Sequence, residues 1–152
     1  MTHLKVGDTA PEINSVDQNG DKITLEQYKG KKLVLYFYPK DMTPGCTAQS
    51  CNLTENYSTL QAKGYDVLGV SCDSAIRHQK FIKKYNLSFS LVSDEEKRVV
   101  EDYGVWGLKK FMGREYDGIF RKTFVIENGS IVKVFEKVKT ADHFQQIMDA
   151  LN

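Results

Sequence analysis

The segment that constrains this chain most is a proline-broken turn between an apolar run and a cysteine. Residues 33–38 (Leu-Val-Leu-Tyr-Phe-Tyr) are continuously apolar, and Pro39-Lys40-Asp41-Met42-Thr43-Pro44-Gly45-Cys46 follows at once. An uninterrupted apolar run suits a strand covered on both faces. The residues after it carry stacked helix-start signals: Thr43 suits the N-cap, Pro44 suits the first helical position, and Cys46 then falls in the first turn. A buried strand, a tight turn and a helix are therefore expected in sequence, with a thiol at the helix N-terminus. Unpaired N–H groups and the positive end of the helix dipole there favour the thiolate, the nucleophilic form of cysteine.

A second cysteine, Cys51, lies five residues on. On a regular helix this spacing separates the two by about 140° and their Cα atoms by about 8.6 Å. A disulfide needs Cα atoms within about 7 Å. The pair is thus expected to rest reduced on the helix and to bond only when its first turns unwind, which argues against a permanent staple.

Elsewhere the chain reads as alternating units. Asn19-Gly20 signals a turn, with a plausible hairpin around it, and Thr24-x-x-Gln27 is a capping box for a short helical turn. The helix after the cysteine turn is expected over 44–63, with Leu53, Tyr57 and Leu60 as its core stripe and Gly64 beyond its end. A buried strand over 66–71, a helix over 75–85 capped by Asp73 or Ser74, and a short strand over 89–92 follow. Ser93-x-x-Glu96 reads as a second capping box, opening a helix with Val99, Val100 and Tyr103 inward. Trp106 and Phe111 read as core or pocket-wall aromatics. Residues 120–126 and 130–135 flank Asn128-Gly129 as a hairpin, and a final helix opening at Thr140 or Ala141 carries Phe144, Ile147 and Leu151. The order implies an α/β fold whose mixed central sheet lies between helices.

At 152 residues the chain can bury one sizeable core, and residues 1–152 are expected to form a single domain. Lys and Arg total 21 against 20 Asp and Glu, a net charge of +1, so composition calls for neither nucleic acid nor an anionic membrane as partner. Lys83-Lys84 and Lys109-Lys110 read as solvated faces. The opening Met1-Thr2-His3-Leu4-Lys5 lacks a signal-peptide core, and no run reaches the roughly 20 apolar residues of a membrane span. Three cysteines without Cys-x-x-Cys point to thiol chemistry in a reducing compartment, with the cytoplasm as the expected location. His3, His78 and His143 are too scattered to read as a metal set, although folding can still gather ligands. No cofactor is expected.

Pro39-x-x-x-Thr43-x-x-Cys46 resembles the peroxiredoxin active-site pattern. Thr-Pro-Gly-Cys-Thr with a cysteine five residues on resembles the peroxiredoxin Q group, the bacterioferritin comigratory proteins of atypical two-cysteine type. The likeness extends from Val6-Gly7-Asp8-Thr9-Ala10-Pro11 through residues 67–71, 103–107 and 116–121 to the C-terminal helix. It implies a thioredoxin-like fold and a thiol-dependent peroxidase acting on hydrogen peroxide and organic hydroperoxides, recycled by thioredoxin or a similar dithiol. A monomer is the expected state. It also implies the roles: Cys46 as peroxidatic nucleophile, Cys51 as resolving thiol, Thr43 as hydrogen-bond partner of sulfur and peroxide, Pro39 as a shield, and Arg121 as the guanidinium that favours the thiolate and orients peroxide. Without the resemblance, Thr43 is a plain N-cap, Pro39 a strand end, and Lys122 as good a cation as Arg121. Gln49 can hydrogen-bond but brings no charge. Cys72, where the family more often has another residue, reads as a passenger or a minor alternative resolving thiol. A thiol–disulfide oxidoreductase and a non-catalytic redox sensor or holdase remain as competing readings.

Overall fold

The computed structural model describes residues 2–151, so Met1 of the N-terminal stretch lies outside the described residues. The chain opens with β1 (Asn14–Val16) and β2 (Lys22–Thr24), antiparallel across the Asn19-Gly20 turn. The expected capping box at Thr24 and Gln27 then starts a 3-10 turn over Leu25–Tyr28. The central units are β3 (Lys32–Phe37), α1 (Pro44–Glu55), α2 (Tyr57–Ala62), β4 (Tyr65–Ser71), α3 (Ala75–Tyr85), β5 (Ser90–Ser93) and α4 (Arg98–Asp102). Two hairpins and a helix follow: β6 (Trp106–Phe111) with β7 (Arg114–Ile119), β8 (Lys122–Glu127) with β9 (Ser130–Phe135), and α5 (His143–Leu151).

The main sheet runs β5-β4-β3-β8-β9. β3, β4 and β5 are parallel, while β8 pairs antiparallel with β3 and with β9. Alternation along β3 sorts the core into two layers. Leu33, Leu35 and Phe37 pack with Val70, Val99, Val100, Tyr103 and Phe124. Val34, Tyr36 and Tyr38 pack with Leu53, Leu60, Phe81 and Ile147 on the opposite face. Helix α4 therefore covers one face and α1, α2, α3 and α5 the other, the expected mixed sheet between helices. Every residue of 33–38 is buried, which is why the run shows no polar alternation. Among the described residues no helix is long and apolar enough to cross a membrane.

Three local expectations need correction, and one open alternative is decided. The helix expected over 44–63 is broken at Asn56, whose backbone (φ −107°, ψ 10°) leaves the helical region. The Asn56 side chain donates to the Asn52 carbonyl at 2.9 Å, offering the backbone a local alternative to helix continuation. The capping box expected at Ser93 and Glu96 does not form: α4 starts at Arg98, and it is Asp94 that accepts from the Val99 and Val100 amides at 3.2 and 2.9 Å. Ser93 donates instead to the Asp73 carbonyl. Helix α3 is capped by Ser74, whose hydroxyl accepts from the Arg77 amide at 3.3 Å. The β6–β7 hairpin was not anticipated, and on it Phe111 is 64% exposed rather than a core or pocket-wall residue.

Candidate active site

Strand β3 delivers the chain to the C-terminal edge of the parallel strands, where Pro39 ends it. The turn to α1 passes through Met42 in a left-handed conformation (φ 68°), then reaches Thr43 at the helix N-cap and Pro44 at its first position. The Thr43 carbonyl accepts the first helical bond from the Thr47 amide at 2.9 Å. Its hydroxyl makes no cap and is turned back to the Lys40 carbonyl at 2.8 Å, which braces the turn itself.

Cys46, Gln49, Ser50 and Leu53 form the buried stripe of α1, at i, i+3, i+4 and i+7. Leu53 supplies apolar burial of about 1.5–3 kcal/mol. Ser50 hydrogen-bonds the Tyr36 hydroxyl of β3 at 2.8 Å. Farther along, Asn52 accepts from the Phe144 amide at 2.7 Å and ties α1 to α5. The first turn of α1 is thereby seated against the sheet with the Cys46 thiol fully buried.

Arg121 lies in the two-residue link between β7 and β8. Its Nη2 donates to Cys46 Sγ at 3.3 Å, and its Nη1 donates to Gln49 Oε1 at 2.7 Å. Gln49 thus holds the guanidinium over the sulfur. Gly45 makes room for it, since a Cβ there would stand 3.2 Å from Arg121 Nη2. Lys122, the competing cation, points elsewhere, donating to the Glu136 carbonyl at 2.8 Å and pairing with its carboxylate at 2.9 Å.

A second cation near this cluster escaped the sequence reading. Lys109, expected on a solvated face, is half-buried and donates to the Ile119 carbonyl at 2.9 Å. Burial and the Arg121 charge push its ammonium below the usual lysine range, while Cys46 opposes them. Strand alternation was the available signal, because its neighbour Lys110 points out to Glu115 at 3.7 Å.

The other two thiols are free and half-buried. Cys51 sits on the uninterrupted α1 with Cys46, as its spacing implied; burial and Glu55 push its thiol up. Cys72 directly follows β4. It lines a cleft of about 370 Å³ with Pro39, Trp106, Lys109, Asp117 and Ile119. Burial and then Asp94 push its thiol up to about 12.

This arrangement, a buried thiol in the first helical turn under a guanidinium, accompanies a match of residues 6–135 to the AhpC/TSA family. The chain belongs to that family. It is 45% identical to Peroxiredoxin Bcp of Escherichia coli K12 over 152 residues, covering 99% of this chain and 97% of the relative. It is 42% identical to Peroxiredoxin Bcp of Bacillus subtilis over 149 residues, covering 97% and 95%. Among solved structures, a cysteine-to-serine mutant of Xylella fastidiosa PrxQ superposes with a TM-score of 0.91 at 31% identity, covering 99% of this chain and 97% of that one. This peroxiredoxin therefore has the thioredoxin-like fold of the Bcp and PrxQ group and is a thiol-dependent peroxidase. A structure of Xanthomonas campestris bacterioferritin comigratory protein, described for that protein's alkyl peroxide reduction, matches with a TM-score of 0.86 at 32% identity, covering 99% and 97%.

Proposed function

We propose that Cys46 is the peroxidatic thiol and that Arg121 activates it. The observation that carries this is the 3.3 Å donation from Arg121 Nη2 to Cys46 Sγ at the start of α1. The guanidinium and the helix N-terminus both set positive charge beside the sulfur that makes the attack. The thiolate attacks one peroxide oxygen and the O–O bond breaks. Sulfur is oxidised to sulfenic acid, and the other oxygen leaves as water or an alcohol once protonated. Arg121 is placed to stabilise charge on the departing oxygen. Pro39 walls the turn from water. Thr43 braces the turn through Lys40, and rotation about its Cα–Cβ bond turns the hydroxyl toward the peroxide.

Cys51 then resolves the intermediate. Its sulfur attacks the Cys46 sulfenic acid, water leaves, and a disulfide forms; an external dithiol of the thioredoxin kind reduces it by exchange. The first turns of α1 must unwind for this step, because an intact helix holds the Cα atoms about 8.6 Å apart. Hydrogen peroxide and alkyl hydroperoxides are the proposed substrates, supported by the alkyl peroxide reduction of the Xanthomonas relative. The protein is proposed to work as a monomer in a reducing compartment, the cytoplasm, consistent with its three free thiols.

Peroxide consumption coupled to thioredoxin and its reductase tests the reading. Cys46→Ser is expected to abolish turnover, and Cys51→Ser to stop after one equivalent of peroxide. Sustained turnover in Cys46→Ser would remove this assignment.

A further inference from the structure

The turn that precedes Cys46 is anchored from below by a buried polar cluster outside the thiol chemistry. Asp41 and His78 are both fully buried. His78 Nδ1 lies 2.6 Å from Asp41 Oδ2, and its Nε2 lies 2.9 Å from the Val92 carbonyl. Both ring nitrogens thus face acceptors. The ring bridges the Asp41 carboxyl group and the β5 backbone. The Tyr38 hydroxyl donates to Asp41 Oδ1 at 2.6 Å. The Asp41 backbone is held as well: its amide donates to Asp73 Oδ2 at 2.8 Å, and its carbonyl accepts from Arg77 Nη2 at 3.4 Å. Asp73 is fixed in turn by Ser71 at 2.7 Å and by Arg77 Nε at 3.0 Å.

Asp41, Asp73 and His78 offer metal-type donor atoms within 4.8 Å of one another. Those atoms are engaged by Tyr38, Ser71, Arg77, Val92 and each other, so the cluster reads as a hydrogen-bonded anchor rather than a cation site. What it anchors is specific. Met42, one residue on, is held at φ 68°, a conformation non-glycine residues rarely adopt unless their surroundings impose it. Thr43 and the first turn of α1 follow directly. An anchor at Asp41 therefore sets where that turn begins, and its release removes what keeps Met42 in place.

We propose that the buried Asp41–His78 pair positions the turn for peroxide attack and, by the same contacts, opposes the unwinding that brings Cys51 to Cys46. The inference rests on the assignment of Cys46 and Cys51 above. It adds that residues on β5 and α3, away from the sulfur, set how long the sulfenic acid persists before resolution. That lifetime decides a competition. A sulfenic acid left in the folded turn meets a second peroxide, whose O–O bond breaks to give sulfinic acid and water or an alcohol; one in an unwound turn forms the disulfide. A weaker anchor moves the balance toward the disulfide.

The test compares Asp41→Ala, His78→Gln and the conservative Asp41→Asn with wild type. In the reduced proteins, amide exchange over residues 45–51 is expected to rise about tenfold or more in Asp41→Ala, with β4 and α3 little changed and Asp41→Asn intermediate. Sulfenic acid formation slows, disulfide formation quickens, and the peroxide concentration giving half sulfinic acid rises by a similar factor. Unchanged exchange over 45–51 with an unchanged sulfinic fraction overturns the proposal, and so does acceleration spread evenly over the sheet. If Asp41→Ala does not fold, Asp41→Asn and His78→Gln decide by the same measurements: faster exchange confined to residues 45–51 supports the anchor, and unchanged exchange with an unchanged sulfinic fraction overturns it. Because exchange is read before peroxide is added, its failure is distinct from a failure of Cys46 to be oxidised.

Discussion

Cys46 and Cys72 follow neighbouring parallel strands, β3 and β4, onto the same edge of the sheet, yet their surroundings are opposite. Cys46 sits in the first turn of a twelve-residue helix with a guanidinium donating to its sulfur at 3.3 Å. Among the described residues no guanidinium donates to Cys72; burial and Asp94, with lesser help from Asp73 and Glu101, drive its thiol up to about 12 against Lys97. Position at the edge of an α/β sheet is shared by both. The proposed difference in reactivity rests on the helix start and on the sign of the nearest charges.

The contrast is open to several breaks. The largest effect is expected from Arg121→Ala, which removes the charge on the Cys46 side. Loss of one preorganised donor to a developing charge costs about 10²–10³ in rate, and peroxide attack should slow on that scale while Arg121→Lys recovers part of it. An Arg121→Ala enzyme with wild-type kcat/KM for peroxide would mean that the helix start alone activates the thiol.

Gly45→Ala should act more weakly and through the same contact. The new Cβ, 3.2 Å from Arg121 Nη2, forces the guanidinium to give by a few tenths of an ångström. A slowing of about tenfold is expected, since misplacement by a full ångström can cost about 10². Stopped-flow oxidation at several peroxide concentrations reads this directly, and an unaffected rate would show that the guanidinium position is not critical.

The Cys72 side should be nearly silent. With the thiol pushed up to about 12, its thiolate fraction at pH 8 is about one in 10⁴, so alkylation of native protein should leave Cys72 unlabelled at that pH and begin only in strong alkali. Cys72→Ser should change coupled peroxidase turnover by less than about twofold, because Cys51 rather than Cys72 is the proposed resolving thiol. Rapid labelling of Cys72 at pH 8 would contradict the assigned surroundings.

How much of this was legible before folding depends on how each residue signals. The strand, the proline-broken turn and the cysteine at a helix start were readable because apolar runs, Pro44 and the N-cap position act locally. The buried stripe of α1 was not, since Cys46, Gln49 and Ser50 carry no hydrophobic period; they are buried by hydrogen bonds to Arg121 and Tyr36 that only the fold supplies. Asn128-Gly129 announced its hairpin, with φ of 49° and 79° at the two positions. The β6–β7 hairpin turns on Met112-Gly113 with φ of 51° and 77°, the same geometry hidden behind a methionine that is 86% exposed. Its strands are largely solvated, so alternation was weak, and Lys109 was misread as a surface charge for that reason. Arg121 could be singled out from Lys122 only by family resemblance, because the two cations are adjacent and their side chains diverge through tertiary contacts.

In the proposed cycle Cys46 is oxidised first and Cys51, not Cys72, closes the bond. Peptide mapping by mass spectrometry, after one equivalent of hydrogen peroxide is added to the fully reduced protein, tests that most directly. The predicted product is an intramolecular Cys46–Cys51 disulfide with Cys72 as free thiol. A Cys46–Cys72 bond, or a disulfide between two molecules, would contradict it.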